Sequence, residues 1–455
     1  MAVLISGISG VRGIIGDGFD SDVVKVYTRA FAELMNRGKI IIAQDSRPSG
    51  EMFKSLVEET LLDLGCEVVD CGICPTPTAQ LMVKEHQAKG GIIVTASHNP
   101  IEWNALKFVG AEGLFLDSDE HAQLQIELAR VKEGQVEMAV ERGKTTKMDD
   151  RIEQHIQNVL SLELVNVDAI KKRHPKVVID AINGAGSEAL PMFLERLGCD
   201  VIRLNCNNDG NFVHTPEPLP ENLLSLRETV RQEGADIGIA TDPDADRLAV
   251  IDENGAPLVE EYTLVLASYH ALRHADESDK RPLVTNLSTT MAMDGVAKMF
   301  GREVLRTPVG EIHVARKMQQ VDSLIGGEGN GGVILAESHL GRDSLVASGL
   351  ILSLMAETGK SIRTIADELP RFIMVKDKLN VQGYDPKTIL EALAEKYADL
   401  NPNLEDGVKI TWDDRWVHFR ASNTEPIIRV FAEGQSQEVA AALVTEFRTE
   451  IEALM

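Results

Sequence analysis

The sequence predicts three related mixed-sheet α/β domains around a central cleft, followed by a separate C-terminal α+β domain. Three observations carry that prediction. One layout occurs three times: a basic residue opening an apolar strand, a polar loop, a helix, then Gly-x-acid-apolar. Each copy goes on to a further apolar strand that ends in an unusual polar loop. After about residue 370 the pattern changes to short strands of antiparallel type. The 455 residues allow two to four domains of ordinary size, and 44% hydrophobic content excludes wholesale disorder.

The opening strands are KIIIAQDSR from Lys39, KVVIDAING from Lys176 and RPLVTNLST from Arg281. Their partners are GCEVVDCG from Gly65, GCDVIRLN from Gly198 and GREVLRTP from Gly301. Each interval holds one loop and one helix, which makes a βαβ unit, and the continuous Val/Ile runs suit parallel strands covered on both faces. The third strands run GGIIVTA into Ser97-His98-Asn99-Pro100, ADIGIAT into Asp242-Pro243-Asp244-Ala245-Asp246-Arg247, and SLIGG into Glu328-Gly329-Asn330-Gly331-Gly332. Ligands in open α/β sheets bind beyond the carboxyl ends of strands, so three equivalent loops face one shared cleft. The rest reads as DKLNV, a helix near Ile389–Tyr397, VKITWDD, WVHFRAS, PIIRVFAEG and a last helix from Glu438. The expected domains are 1–150, 151–255, 256–370 and 371–455.

A net charge of −25 repels nucleic acid and anionic membrane, which excludes both as main partners. A phosphorylated metabolite would need a local cluster of Arg and Lys. The longest charge-free apolar stretch, between Asp343 and Glu357, is too short to span a bilayer. MAVLISGISGVRG has no basic residue ahead of its apolar run and does not read as a signal peptide, so a cytoplasmic location is expected. Of five cysteines, Cys71 and Cys74 form a lone CxxC near Cys66, and Cys199 with Cys206 has the wrong spacing to complete a zinc site. A redox CxxC should open a helix, whereas Cys74 runs into Pro75-Thr76-Pro77, so the cysteines read as buried thiols.

Asp242, Asp244 and Asp246 alternate along one turn, and carboxylates so close repel unless a cation sits among them. The calcium-loop reading fails, because Arg247 replaces the required glycine and LAVID reads as a strand. Mg²⁺ with open positions for phosphate oxygens fits best. Ser97, after a buried strand and beside His98 and Asn99, with Lys107 ten residues on, is either a turn former or a nucleophile. Arg420-Ala421-Ser422-Asn423-Thr424-Glu425-Pro426 with Arg429 gathers guanidiniums, hydroxyls and an amide into a nest suited to phosphate. Glu328 and Asn330 sit among glycines that let a backbone approach a ligand. Gly7-Ile8-Ser9-Gly10-Val11-Arg12-Gly13 reads as a loop that brings Arg12 to a phosphate, without the GxGxxG order.

Together these loops resemble the α-D-phosphohexomutase family over essentially the whole chain and in the right order. TASHNP is similar to its phosphoserine loop, DPDADR to its metal loop, GEGNGG to its sugar loop and RASNTEPIIRV to its phosphate loop; GISGVRG and DSRPSG match two further signatures. The resemblance implies that phosphorylated Ser97 exchanges its phosphoryl group with a hexose monophosphate through a hexose 1,6-bisphosphate. It implies Mg²⁺ on Asp242, Asp244, Asp246 and a Ser97 phosphate oxygen, with His98, Arg12, Lys107 and Arg247 in the catalytic group and Lys107 assisting proton transfer. The distal phosphate would lie on Arg420, Ser422, Asn423, Thr424 and Arg429. Glu328 and Asn330 would hold the sugar 3- and 4-hydroxyls, with Thr307 and Gly310 alongside. Two departures stand out: GEGNGG lacks a Ser-Gly-His ending, and Glu311 follows Gly310 where some hexose-specific members have His. The expected reaction is glucosamine 6-phosphate to glucosamine 1-phosphate, with glucose and mannose phosphates next. A metal-dependent phosphatase and a sugar-phosphate-binding regulator are the readings from other classes.

Overall fold

The computed structural model describes residues 4–422 and 426–455. The chain begins with β1 (Leu4–Gly7), β2 (Gly10–Ile15), β3 (Gly18–Phe19), α1 (Ser21–Leu34), β4 (Lys39–Gln44), α2 (Gly50–Asp63), β5 (Glu67–Ile73), α3 (Thr76–Glu85), β6 (Gly90–Val94), β7 (Trp103–Gly110), α4 (Ser118–Lys132) and β8 (Lys144–Lys147). It continues with α5 (Arg151–Leu160), α6 (Val167–Arg173), β9 (Lys176–Asp180), α7 (Gly186–Arg196), β10 (Asp200–Leu204), α8 (Leu224–Glu233), β11 (Ile237–Thr241), β12 (Leu248–Ile251) and β13 (Pro257–Leu258). Next come α9 (Glu261–His274), β14 (Leu283–Asn286), α10 (Ala292–Met299), β15 (Val304–Thr307), α11 (Glu311–Val321), β16 (Ile325–Glu328), β17 (Gly332–Leu335), α12 (Ser344–Thr358) and α13 (Ile362–Asp367). The last sheet uses β18 (Ile373–Asn380), β19 (Val408–Thr411), β20 (Trp416–Ala421) and β21 (Ile427–Gly434), with α14 (Pro386–Lys396) and α15 (Gln437–Leu454) against it.

The threefold layout is written into the hydrogen bonding. The strand orders β5-β4-β6-β7, β10-β9-β11-β12 and β15-β14-β16-β17 are the same motif. In each, the first three strands are parallel and the fourth is antiparallel to the third. The central parallel strands of each copy, β4 with β6, β9 with β11 and β14 with β16, are buried as their apolar runs require, whereas the outer strands β10 and β15 are partly exposed. The polar loop of each copy is the turn into that antiparallel strand, so all three occupy one topological position. The first sheet adds β1, β2, β3 and β8, the second adds β13, and the fourth sheet, β18-β21-β20-β19, is entirely antiparallel.

Two local expectations change. GISGVRG is a β-hairpin rather than a loop: β1 pairs with β2, and β2 pairs with β7. Gly10 has φ +115, and a Cβ there would stand 2.0 Å from the Leu106 carbonyl, so glycine permits this close strand approach. The CxxC does lead into a helix, because α3 starts two residues after Cys74 with a proline in its first turn. All five cysteines are free thiols; Cys66, Cys71, Cys74 and Cys199 are buried as expected and Cys206 is half-buried, and burial pushes Cys74 up to about 12, away from the reactive thiolate.

The charge-free stretch after Asp343 is α12, apolar on all sides and buried from Ser344 to Met355. It packs against α9, α6, α5, α7 and β17, and so ties the middle domains into one core. Among the described residues no helix is long and apolar enough to cross a membrane.

Candidate active site

Ser97 follows β6 in a left-handed backbone conformation, φ 49, which only a constrained turn imposes on a non-glycine residue. The constraint is visible. Arg47, buried after β4, donates through Nη2 to the carbonyls of Ser97 (2.5 Å) and Asn99 (2.7 Å), and through Nη1 to those of Pro100 (2.7 Å) and Trp103 (3.1 Å). Its Nε is held by Asp45 at 3.0 Å, and Asp45 also accepts from Thr95, whose Oγ1 accepts from the Ser97 N–H. One arginine therefore gathers the carbonyls of the whole turn and leaves the Ser97 hydroxyl facing outward from it.

That hydroxyl points at the aspartate loop between β11 and β12. Ser97 Oγ donates to Asp242 Oδ2 at 2.9 Å, and the three Asp side chains offer oxygens all within 4.8 Å of one another. Ala245, at φ 54, turns the backbone so that Asp244 and Asp246 converge. All three aspartates are buried. Burial, then Asp246 and Asp244, push the Asp242 carboxyl well above its usual range. Burial also acts on Asp244, yet Lys107 and Thr76 hold it well below. Lys107 Nζ lies 2.6 Å from Asp244 and 3.7 Å from Asp246. Burial works against its charge, but these carboxylates raise its pKa, so it is a firmly protonated ammonium.

The cluster fits a hard divalent cation. Asp244 Oδ1 and Asp246 Oδ1 are buried without a hydrogen-bond partner, and every donor in the set is an oxygen. The other His and carboxylate groupings are of a different kind; in the buried His155–His339–Asp343 set, each imidazole donates to Asp343.

Arg247 lies against this cluster, its Nε 3.8 Å from both Asp242 and Asp246, while Nη2 donates to His98 Nδ1 at 3.0 Å. The Arg247 charge, followed by burial, pushes His98 down to about 2, so its imidazole is neutral and acts as an acceptor. Arg12, on β2, reaches Asn99 Oδ1 at 3.5 Å, and burial followed by the nearby Arg429 lowers its pKa.

Glu328, the last residue of β16, is buried. Its Oε1 accepts from Asn286 (2.8 Å) and the Gly310 N–H (2.9 Å); its Oε2 faces Arg342 at 2.8 Å and Asn330 at 3.5 Å. Gly310, at φ 132, turns the chain into α11 and aims that N–H. Thr307 is buried at the end of β15, with its hydroxyl on the Pro308 carbonyl. Glu311, at the start of α11, is held by Gln80 (3.1 Å) and Arg342 (3.0 Å).

On the fourth sheet Arg420 and Arg429 are direct cross-strand partners, and Lys378 is the next residue in the same row. Like charges placed opposite are unfavourable without an anion between them. Arg420 pairs with Asp406 at 2.9 Å, and Asp406 also accepts from the Val309 N–H beside Gly310. The Ser422 N–H closes the turn onto the Ile427 carbonyl at 3.0 Å. Asn423 and Thr424 lie outside the described residues.

The structure thus brings Ser97, His98, Lys107, Arg247 and the three aspartates together, with Arg12 beside them. Glu328, Asn330 and Gly310 are joined to that group through Arg342. Sequence reading missed Arg47, Thr76, Gln80 and Arg342. Only Arg47 had a visible signal, in DSRPSG; Thr76, whose hydroxyl donates to Asp244 at 2.8 Å, sat in the Pro-Thr-Pro run judged only for redox chemistry.

Comparison with known proteins covers nearly the whole chain. Family models described as phosphoglucomutase/phosphomannomutase alpha/beta/alpha domains I, II and III match residues 4–135, 153–255 and 260–372, and that of the C-terminal domain matches 379–450. A phosphoglucomutase/phosphomannomutase of Thermococcus kodakarensis is 40% identical over 442 residues, 95% of each chain. A probable phosphoglucosamine mutase of the same organism is 33% identical over 444 residues, 96% of each chain. Among solved structures, a phosphoglucomutase/phosphomannomutase family protein from Burkholderia thailandensis superposes with a TM-score of 0.84 at 25% identity, covering 99% of this chain and 98% of its own. With four domain matches in order and a long relative at 40% identity, the chain belongs to the phosphoglucomutase/phosphomannomutase family, isomerases that move a phosphoryl group within a hexose phosphate.

Proposed function

We propose that this chain interconverts hexose 6-phosphates and hexose 1-phosphates through phosphorylated Ser97 and a hexose 1,6-bisphosphate. The observation that carries the reading is Ser97 Oγ, held 2.9 Å from Asp242 at the edge of the three-aspartate cluster. Phosphorylated Ser97 gives its phosphoryl group to the free sugar hydroxyl, so the Oγ–P bond breaks and a sugar O–P bond forms. After the bisphosphate turns over, Ser97 Oγ takes the other phosphoryl group. One sugar oxygen loses a proton and the other gains one, so none is consumed.

Asp242, Asp244, Asp246 and a phosphate oxygen on Ser97 would hold Mg²⁺, which supplies charge neutralisation for the transferring group. Arg247 and Arg12 orient the phosphoryl oxygens, and neutral His98 keeps Arg247 in place. Lys107, protonated between two aspartates, serves as a proton donor to a departing oxygen. Arg420, Arg429 and Ser422, with Asn423 and Thr424, hold the phosphate that is not reacting. Glu328 and Asn330 meet the sugar hydroxyls, with Thr307 and Gly310 shaping that side. A cytoplasmic setting suits such a charged substrate.

Among hexoses we place glucose and mannose phosphates first. Within Thermococcus kodakarensis, the relative named for those sugars is more similar to this chain than the one named for glucosamine. That reverses the order expected from the motifs. Glucosamine 6-phosphate is the second reading, supported by relatives that carry that name in Methanopyrus and Pyrococcus. Assaying all three 6-phosphates with catalytic glucose 1,6-bisphosphate decides between them. Ser97→Ala should abolish interconversion of whichever is used; release of inorganic phosphate in place of an isomer would mark a phosphatase instead.

A further inference from the structure

Arg342 belongs to none of the loops that the motifs single out, yet it is buried where they meet. Each of its three guanidinium nitrogens takes a carboxylate from a different segment. Nη2 reaches Asp246 Oδ2 at 2.5 Å, Nη1 reaches Glu328 Oε2 at 2.8 Å, and Nε reaches Glu311 Oε2 at 3.0 Å. The aspartate loop, the sugar loop and the start of α11 are therefore joined by one cation.

The stem of Arg342 explains an oddity of the glycine-rich loop. A Cβ on Gly332 would stand 2.2 Å from Arg342 Cδ and 2.9 Å from its Cγ. Gly332 does not have a positive φ, so its backbone would accept any residue. What excludes a side chain at 332 is Arg342 itself. GEGNGG departs from a Ser-Gly-His ending at this same position, and the volume above Gly332 is filled by the arginine methylenes.

We infer that Arg342 and Gly332 are a matched pair, and that Arg342 is a positioning residue which locks the sugar loop to the metal loop from a place ten residues further along the chain. The inference rests on the proposed phosphohexomutase function and deepens it. A guanidinium stays charged at every working pH, and its rigid planar fork aims separate N–H groups at three carboxylates in fixed directions, whereas an ammonium is a freely rotating point charge. Glu328 is thereby held at a set distance from Asp246, so sugar and phosphoryl group are presented in one register.

The test uses Mn²⁺ binding, followed by electron paramagnetic resonance, beside kinetics on the best sugar phosphate. Arg342→Met removes a cation from Asp246, so Mn²⁺ should bind several-fold tighter while kcat/KM falls by about one to two decades. Opposite signs are the signature; a merely structural loss weakens both, and an idle residue moves neither. Arg342→Lys keeps the charge but not the fork, so it should return Mn²⁺ affinity to the wild-type value without restoring kcat/KM. The pairing is tested separately. Gly332→His alone should lose activity by collision, and Gly332→His with Arg342→Ala should exceed Arg342→Ala alone. Simple additivity of the two losses would overturn the matched pair. Because Mn²⁺ binding needs no sugar, a wrong assignment of function would show as wild-type inactivity with these metal shifts intact.

Discussion

Asp242 and Asp244 look alike in the sequence and are opposites in the fold. Asp244 accepts from Lys107 and Thr76, so Asp244→Asn would leave a buried ammonium with Asp246 at 3.7 Å as its remaining carboxylate and should lower the melting temperature of the metal-free protein. Asp242 is the one its neighbours repel, so Asp242→Asn should hold or raise that temperature. Both should lose turnover by orders of magnitude, and thermal melts in chelator beside kinetics check the pair. Repulsion among the three carboxylates would by itself favour neutralising Asp244; the Lys107 contact at 2.6 Å opposes it. Glu261 supplies a second residue-scale test. It is buried, and burial pushes its carboxyl up to about 8 despite Lys376. A raised folded-state pKa means stability that is present below the ordinary Glu value and lost as pH rises through about 8. Melting temperature should therefore fall as pH rises from the ordinary Glu value to about 8, level off above it, and fall less in Glu261→Gln.

At the scale of elements, α12 is the helix with no polar face, and its start is secured by one side chain. Asp343 Oδ1 accepts from the Leu345 and Val346 N–H groups, while Oδ2 accepts from His155 at 2.7 Å and His339 at 3.0 Å. Asparagine is an equally good cap, so Asp343→Asn isolates the histidine contacts. It should cost about 1.5–3 kcal/mol in urea unfolding, the range for hydrogen bonds to a charged group. The paired strands β20 and β21, with β18 beside β21, give the complementary case, a row of three cations, Lys378, Arg429 and Arg420, of which Arg420 is paired with Asp406. Arg420→Ala should lower kcat/KM by about one to two decades and leak more free bisphosphate, with Mg²⁺ affinity unchanged because the aspartates lie on another sheet. Wild-type kinetics would reduce the row to a surface feature.

The whole molecule carries a net charge of −25, yet Lys107, Arg247 and Arg342 all stand against the buried aspartate loop. Metal and fold are linked through that convergence: Thr76 and Lys107 from the first domain both hold Asp244 of the second. Mg²⁺ at a hundredfold excess over its Kd should stabilise the protein by about 2.7 kcal/mol. Scanning calorimetry with Mg²⁺ and with chelator measures this, and the difference should vanish in Asp244→Asn. A shift that survives the substitution would place the cation elsewhere.

By itself the sequence determined the threefold strand–helix layout, the loops that follow each third strand, and the residue types in those loops. These are local properties, set by the apolar period of a strand and by turn chemistry within a few residues. The tertiary structure alone decided that Arg12 stands on a strand, that Arg47 gathers the carbonyls around Ser97, and that Arg342 replaces a side chain at Gly332. It also decided which aspartate Lys107 relieves. Each of those contacts except the last step of the Arg342 stem joins residues tens to hundreds of positions apart. An arginine has no local signature of where its guanidinium will end, because a long stem reaches whichever carboxylates the packed sheets leave unpaired.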